Sequence, residues 1–370
     1  MHVLVTADTV GGVWTYTREL VTGLSQRGHR VTLISFGAIP RPGQAQWLEA
    51  LENVDFRPTG FRLEWMQDAA EDVAASAEYL QSVIADVKPE LLHLNQYCYG
   101  ALPSDLPRVV VAHSDVVSWW FWVHGCWPDD GPWLRWYRSL VSEGLARATA
   151  VVAPSQFMAE NLVRDFGAGN NVRVIHNGRT PALFDAQSAK QLVVLSVGRI
   201  WDEAKNTALL LEAAPACPVW IAGTQRNPEA QRTVELRNAG EIDLKGQLSE
   251  PELRRLYARA GIYAATSVYE PFGLAPLEAA LSRCAIVASD IPPFRELWQD
   301  SVLYFENRNA ESLRGCVQQL LHDTALREEY GCRARRRAIQ AFRAGRMLDE
   351  YIALYGELLG QRAPRASAVA

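Results

Sequence analysis

Short aliphatic runs separated by longer amphipathic segments constrain this chain more than any other feature of it. In the first half the runs are Val3-Leu4-Val5, Val31-Thr32-Leu33-Ile34, Leu91-Leu92-His93-Leu94, Val109-Val110-Val111 and Ala150-Val151-Val152. Runs that are apolar on both faces, with helical stretches between them, are what strands of a parallel sheet look like when helices cover both its sides. Between the first two runs, Thr15 to Arg27 repeats apolar residues at helical spacing (Tyr16, Leu20, Leu24) and stops at Gly28, completing one strand-helix-strand unit. The pattern breaks at Arg173 to Arg179, a strand followed by the turn formers Asn177 and Gly178, and at the polar stretch Asp185 to Lys190, where we place a linker. It restarts with Leu192 to Gly198, Pro218 to Gly223, Ile242 to Leu244, Ile262 to Ala265 and Ala285 to Ala288. The expected fold class is α/β, with two doubly wound Rossmann-like domains at 1–180 and 190–345. The end reads as helical over Ala310–His322, Leu326–Phe342 and Met347–Leu359, with a disordered tail from Gln361 onward.

At 370 residues, 48% of them hydrophobic, the chain exceeds the usual single-core limit and can fill two cores, which favours a cleft between domains. A formal net charge of −5 argues against broad binding to nucleic acid or to anionic lipid, because both rest on dense Lys/Arg surfaces. The run Arg333-Ala-Arg-Arg-Arg337 reads as a solvated helix face in that acidic whole. Met1 to Ala7 reads as a buried strand rather than a signal peptide, and no apolar run approaches the roughly 20 residues that span a bilayer. The six cysteines have neither Cys-x-x-Cys pairing nor Cys/His ligand spacing, so they read as reduced packing residues of a cytoplasmic protein, with no metal site.

The stretch Ala265-Thr-Ser-Val-Tyr-Glu270-Pro-Phe-Gly-Leu-Ala-Pro-Leu-Glu278 follows a strand and opens a helix. Pro271 and Gly273 suit the turn, and the helix is expected to begin near Leu274 or Ala275, with Pro276 in its first turn. Backbone N–H groups at such a start are unsatisfied and carry the positive end of the helix dipole, so they can bind a diphosphate. Glu270 then lies before the helix and Glu278 about one turn inside it, where each can accept hydrogen bonds from sugar or ribose hydroxyls. A carboxylate there also interacts favourably with the dipole alone, and both readings stand on position. Gly11 and Gly12 end the first strand, where lack of a side chain admits backbone to a ligand or makes a plain tight turn. They do not form the Gly-x-Gly-x-x-Gly dinucleotide fingerprint.

Glu270 and Glu278, with seven residues between them that begin Pro-Phe-Gly-Leu, resemble the retaining glycosyltransferases of family 4 (GT4), which have the two-domain GT-B fold. Gly198-Arg199 with Lys205 resembles that family's diphosphate-binding pair. The similarity to the family extends over nearly the whole chain, through Gly11-Gly12, Val152-Ala-Pro-Ser155, His176-Asn-Gly178 and the terminal Tyr355-Gly-Glu-Leu-Leu. The resemblance implies two domains facing across a cleft, with the first on the acceptor side and a terminal helix over 346–362 packing back on it. It implies a nucleotide-sugar donor as substrate, UDP-sugar by family prevalence, and no cofactor or metal. Glu270 would contact donor-sugar hydroxyls and Glu278 the ribose. Arg199, Lys205 and the N–H groups of Gly273 and Leu274 would hold the diphosphate as it gains charge. Gly11 and Gly12 would approach it from the opposite side. His113, at the carboxyl end of a buried strand, matches the family histidine at the donor sugar, although Ser114 stands where the family more often has Asp.

Between Ser118 and Tyr137 lie six of the chain's 12 tryptophans, directly after His113. Aromatic faces stack on sugars or hold apolar aglycones, so Trp119, Trp122 and Trp127 are candidates for an acceptor wall; packing of a helix onto the first domain is the alternative. A sugar-nucleotide epimerase or a non-catalytic nucleotide-sugar binder on the same fold would compete with a transferase. The acceptor is left as a small molecule, glycan or lipid-linked hydroxyl.

Overall fold

The computed structural model describes residues 1–169, 172–227 and 242–362. Its first sheet contains β1 (His2–Asp8), β2 (Arg30–Phe36), β3 (Val54–Pro58), β4 (Leu91–Leu94), β5 (Arg108–Val111), β6 (Ala150–Ala153) and β7 (Val172–Val174). All pairings are parallel, in the order β3-β2-β1-β4-β5-β6-β7. The second contains β8 (Gln191–Val197), β9 (Val219–Ala222), β10 (Ile242–Gly246), β11 (Ala260–Ala265), β12 (Ala285–Ser289) and β13 (Leu303–Phe305). It is also parallel, in the order β10-β9-β8-β11-β12-β13. Strand order reverses between β1 and β4 and again between β8 and β11, and the crevice at such a switch point is where open α/β sheets bind ligands.

Every aliphatic run read above as a strand is one. The two strands not read from the sequence, β3 and β13, are an edge strand of half-buried Val-Asp-Phe-Arg-Pro and a three-residue strand; neither carries an aliphatic run. The first helix, Gly12–Gln26, starts three residues earlier than its apolar periodicity because the turn is made at Gly11, with φ of 86°. The three terminal helices are Ala310–His322, Thr324–Ala341 and Ala344–Arg362. Residues 363–370, most of the tail read as disordered, lie outside the described residues.

The Ala344–Arg362 helix leaves the second sheet and packs against the first helix, burying Met347, Tyr351, Tyr355 and Leu358 with Val3, Leu20 and Leu24. His93 of β4 bonds Tyr355 Oη through Nδ1 at 2.7 Å and Tyr16 Oη through Nε2 at 3.1 Å. Burial pushes the His93 pKa down to about 3, so the imidazole sits in that core uncharged. The chain crosses between the sheets twice, and the crossings lie side by side: Arg179 N donates to Phe342 O at 3.1 Å, and Ala344 N donates to Arg179 O at 3.0 Å. Gly178 permits this approach, because a β-carbon there would stand 2.6 Å from the Arg343 carbonyl carbon.

Candidate active site

The loop after β8 carries Gly198 and Arg199, a short 3₁₀ turn over Glu203–Lys205 carries Lys205, and the loop after β11 carries Glu270. The helix beyond it spans Leu274–Leu281, with Gly273 at its N-cap at φ 88°. These elements bring Lys205 Nζ into an ion pair with Glu270 Oε2, and Ser267 Oγ donates to the same oxygen at 3.2 Å. Ser196, Lys205, Ser267, Glu270, Ala275 and Pro276 line one cavity.

Arg199 points at the other domain. Its Nη1 stands 3.2 Å from where a β-carbon on Gly11 would be, and Leu274 Cδ1 stands 3.5 Å from the same point on Gly12. Arg199 Nη2 donates to Asp202 Oδ2 at 2.6 Å. Asp202 Oδ1 in turn accepts from Trp119 Nε1 at 3.1 Å across the seam, and from Ala204 N at 3.1 Å. Burial opposes ionisation of Asp202, but Arg199 and Lys205 outweigh it and hold the carboxyl below its ordinary range. Of the sequence-derived residues, Lys205 and Glu270 thus share one cavity, while Arg199 meets Gly11 and Leu274 meets Gly12 across the seam.

His113 follows β5. Its Nε2 lies 2.9 Å from Asn95 Oδ1, and Asn95 Nδ2 donates to Thr6 O at 2.6 Å. That second bond fixes the amide's orientation, so Nε2 of His113 carries the proton and Nδ1 is the acceptor. The ring packs edge-on to Tyr16 at 4.6 Å, and burial pushes its pKa down to about 3, so it is neutral. Ser114 Oγ lies 3.3 Å from Tyr269 Oη across the seam, and Asp115 caps the helix Val116–His124 by accepting from Ser118 N at 2.7 Å.

Glu278 does not open onto Lys205. Its side chain, 13% exposed, lies 3.0 Å from Arg179 Nε. The three tryptophans read as candidates for an acceptor wall sit in different surroundings. Trp119 and Trp122 pack in the seam against Phe157, Ala204, Val268 and Tyr269, and Trp122 Nε1 reaches Asn161 Oδ1 at 3.4 Å. Trp127 is 48% exposed, beside Phe121 and the Arg164 guanidinium. The cause is helical spacing: positions 119 and 122 share a face of Val116–His124, and 127 lies beyond its end. Ser155 Oγ also crosses the seam to Pro271 O at 2.6 Å, and Glu296 accepts from Gln156 N and Phe157 N at 2.7 and 2.9 Å.

Sequence reasoning missed Asp8, Asn95, Asp202 and Arg179. Asp8 ends β1 with Oδ1 accepting from Val10 N at 2.5 Å; burial pushes its pKa up to about 7 against the pull of that bond and of Arg199. Its place immediately before the glycine turn was the available signal. Asn95 and Arg179 act through contacts distant in sequence, and Asp202 joins its near neighbour Arg199 to the distant Trp119.

Two doubly wound units facing across a seam, with a strand-loop-helix start and two cations on one side and a glycine turn on the other, define a GT-B architecture. A model of glycosyltransferase family 4 matches residues 10–182, and one of glycosyl transferases group 1 matches residues 181–337. The alpha-maltose-1-phosphate synthase of Mycobacterium tuberculosis (strain CDC 1551 / Oshkosh) is 27% identical over 294 residues, 69% of this chain and 74% of that protein. Sucrose-phosphate synthase from Thermosynechococcus elongatus superposes with a TM-score of 0.77 at 18% identity, covering 98% of this chain and all of the other. Anabaena HepE in complex with UDP-glucose gives 0.75 at 18% identity, covering 96% of this chain and 100% of that one. The chain belongs to the family 4 glycosyltransferases of GT-B fold and is a glycosyltransferase enzyme.

Proposed function

We propose that the chain transfers a hexosyl group from a UDP-sugar to a hydroxyl acceptor with retention of anomeric configuration and without a metal. The observation that carries this reading is the convergence of Arg199, facing Gly11, with the Lys205–Glu270 pair beside the helix start at Leu274. Arg199, Lys205 and the N–H groups of Gly273 and Leu274 hold the diphosphate, which gains negative charge as the bond from anomeric carbon to phosphate oxygen breaks. Two fixed cations supply the charge compensation that a divalent ion supplies elsewhere. When the donor diphosphate takes Lys205, Glu270 is released to accept from sugar hydroxyls, and neutral His113 accepts through Nδ1. Glu278 accepts from the ribose hydroxyls. The acceptor oxygen bonds to the anomeric carbon on the face the phosphate leaves, and the departing phosphate oxygen takes its proton. Closure of the two units excludes water and limits donor hydrolysis. The UDP-glucose bound by HepE supports uridine as the base. The six cysteines, none of them in a disulfide, fit a reducing, cytoplasmic compartment; among the described residues no helix is long and apolar enough to cross a membrane.

A panel of UDP-, GDP- and ADP-sugars, assayed for slow hydrolysis with and without EDTA, tests this. Turnover confined to UDP-sugars and indifferent to EDTA is the expected result. Full turnover by Glu270→Ala, or interconversion of the donor sugar without release of nucleotide, contradicts it.

A further inference from the structure

Arg179 belongs to none of the residues just assigned. It sits in the paired crossover with its side chain fully buried, and its guanidinium meets three carboxylates. Nη1 donates to Glu19 Oε1 at 2.6 Å, Nη2 donates to Glu250 Oε1 at 2.8 Å, and Nε lies 3.0 Å from Glu278 Oε1. Glu19 comes from the first helix, on the first unit. Glu250 and Glu278 come from the helices Glu250–Arg259 and Leu274–Leu281, on the second. Thr180 Oγ1 donates to the other oxygen of Glu19 at 2.6 Å. Arg18 pairs with Glu250, and Arg254 Nη2 lies 3.4 Å from it. Three carboxylates therefore face three guanidiniums, and Arg179 is the only one of the three that touches Glu278.

A buried carboxylate left without a cation is strongly disfavoured, and burial does push the Glu278 carboxyl above its ordinary range, with Arg179 the main opposing influence. The Nε of Arg179 makes no hydrogen bond despite its 3.0 Å approach to Glu278. Its hold on this carboxylate is electrostatic.

We propose that Arg179 is a positioning residue for nucleotide recognition: it holds the Glu278 carboxylate in place for the ribose hydroxyls and, through Glu19 and Glu250, ties that recognition to the closed arrangement of the two units. The inference rests on the reading of Glu278 as the ribose ligand. A lysine at 179 keeps the charge but lacks a planar fork that spans three acceptors.

The test is binding of UDP and 2′-deoxy-UDP by calorimetry to the wild-type chain and to Arg179→Lys, Arg179→Met, Glu19→Gln and Glu278→Gln, with GDP and 2′-deoxy-GDP run alongside. A hydroxyl bound by a charged group carries roughly 10- to 100-fold in affinity. The wild-type preference for the ribonucleotide should be of that size. It should collapse towards one in Glu278→Gln and Arg179→Met, and fall partway in Arg179→Lys and in Glu19→Gln, which loosens the guanidinium without touching Glu278. Equal weakening of both nucleotides in the Arg179 variants, or a lowered melting temperature with the preference intact, overturns the inference while Glu278→Gln still collapses it. A preference unchanged in Glu278→Gln overturns the ribose reading and the inference together.

Discussion

Arg199 and Gly11 meet across the seam between the two units, the guanidinium Nη1 standing 3.2 Å from the position a β-carbon on Gly11 would take. Gly11 holds φ at 86°, a conformation L side chains rarely adopt, and it starts the first helix. Gly11→Ala therefore strains the backbone by about 1–2 kcal/mol and crowds the cation. Melting should drop by several degrees, and donor KM should rise at least tenfold in steady-state kinetics, more than acceptor KM.

Removal of either cation separates binding from chemistry. If both stabilise charge that develops on the leaving diphosphate, Arg199→Ala and Lys205→Ala should each lower kcat by roughly 100- to 1,000-fold, beyond any rise in donor KM. Lys205→Ala also leaves Glu270 without its ion-pair partner, so Lys205→Ala with Glu270→Gln should be more stable than Lys205→Ala alone by thermal melting.

Trp119→Phe keeps the ring in the seam and deletes one donor to buried Asp202, which also holds Arg199. The expected loss is about 1–3 kcal/mol, read as a higher donor KM with acceptor KM little changed. Trp127→Ala, at an exposed position, should change neither. A large, selective rise in acceptor KM for both variants would support the acceptor wall.

Two opposite pH dependences are built in. Burial raises the Asp8 pKa to about 7, above the unfolded value of 3.8, so its stabilising contribution is present at low pH and lost as pH rises through about 7. Asp8→Asn should melt higher than wild type at pH 8 and lose that difference near pH 4. His93 and His113, each lowered to about 3 from 6.5, contribute stability above pH 6.5 that is lost as pH falls towards 3. A melting series from pH 4 to 8 on wild type and Asp8→Asn separates the two.

Donor binding reads the same carboxyl. A bound diphosphate offsets the Arg199 charge that favours ionised Asp8, so donor binding should take up a proton and donor KM should climb above pH 7. In Asp8→Asn the profile should be flat over that range.

Both sheets and the helix start at Leu274 were legible in the sequence because each rests on local pattern. An apolar run between turn formers has few alternatives to a buried parallel strand, and a Pro/Gly turn before a helix exposes the same N–H groups wherever it occurs. The environment of the tryptophans was not legible, since an indole's surroundings depend on what the other unit presents to it.

The sequence by itself determined two doubly wound units and a cluster of charged residues at strand ends. Tertiary structure alone decided which charges meet. Arg179 reaches Glu19, Glu250 and Glu278 from positions up to 160 residues away, and Asp202 joins Arg199 to Trp119 across the seam. The physical reason is that periodicity encodes which face of an element is buried, whereas an ion pair depends on the separation of charges carried by different elements, which follows only from how those elements pack.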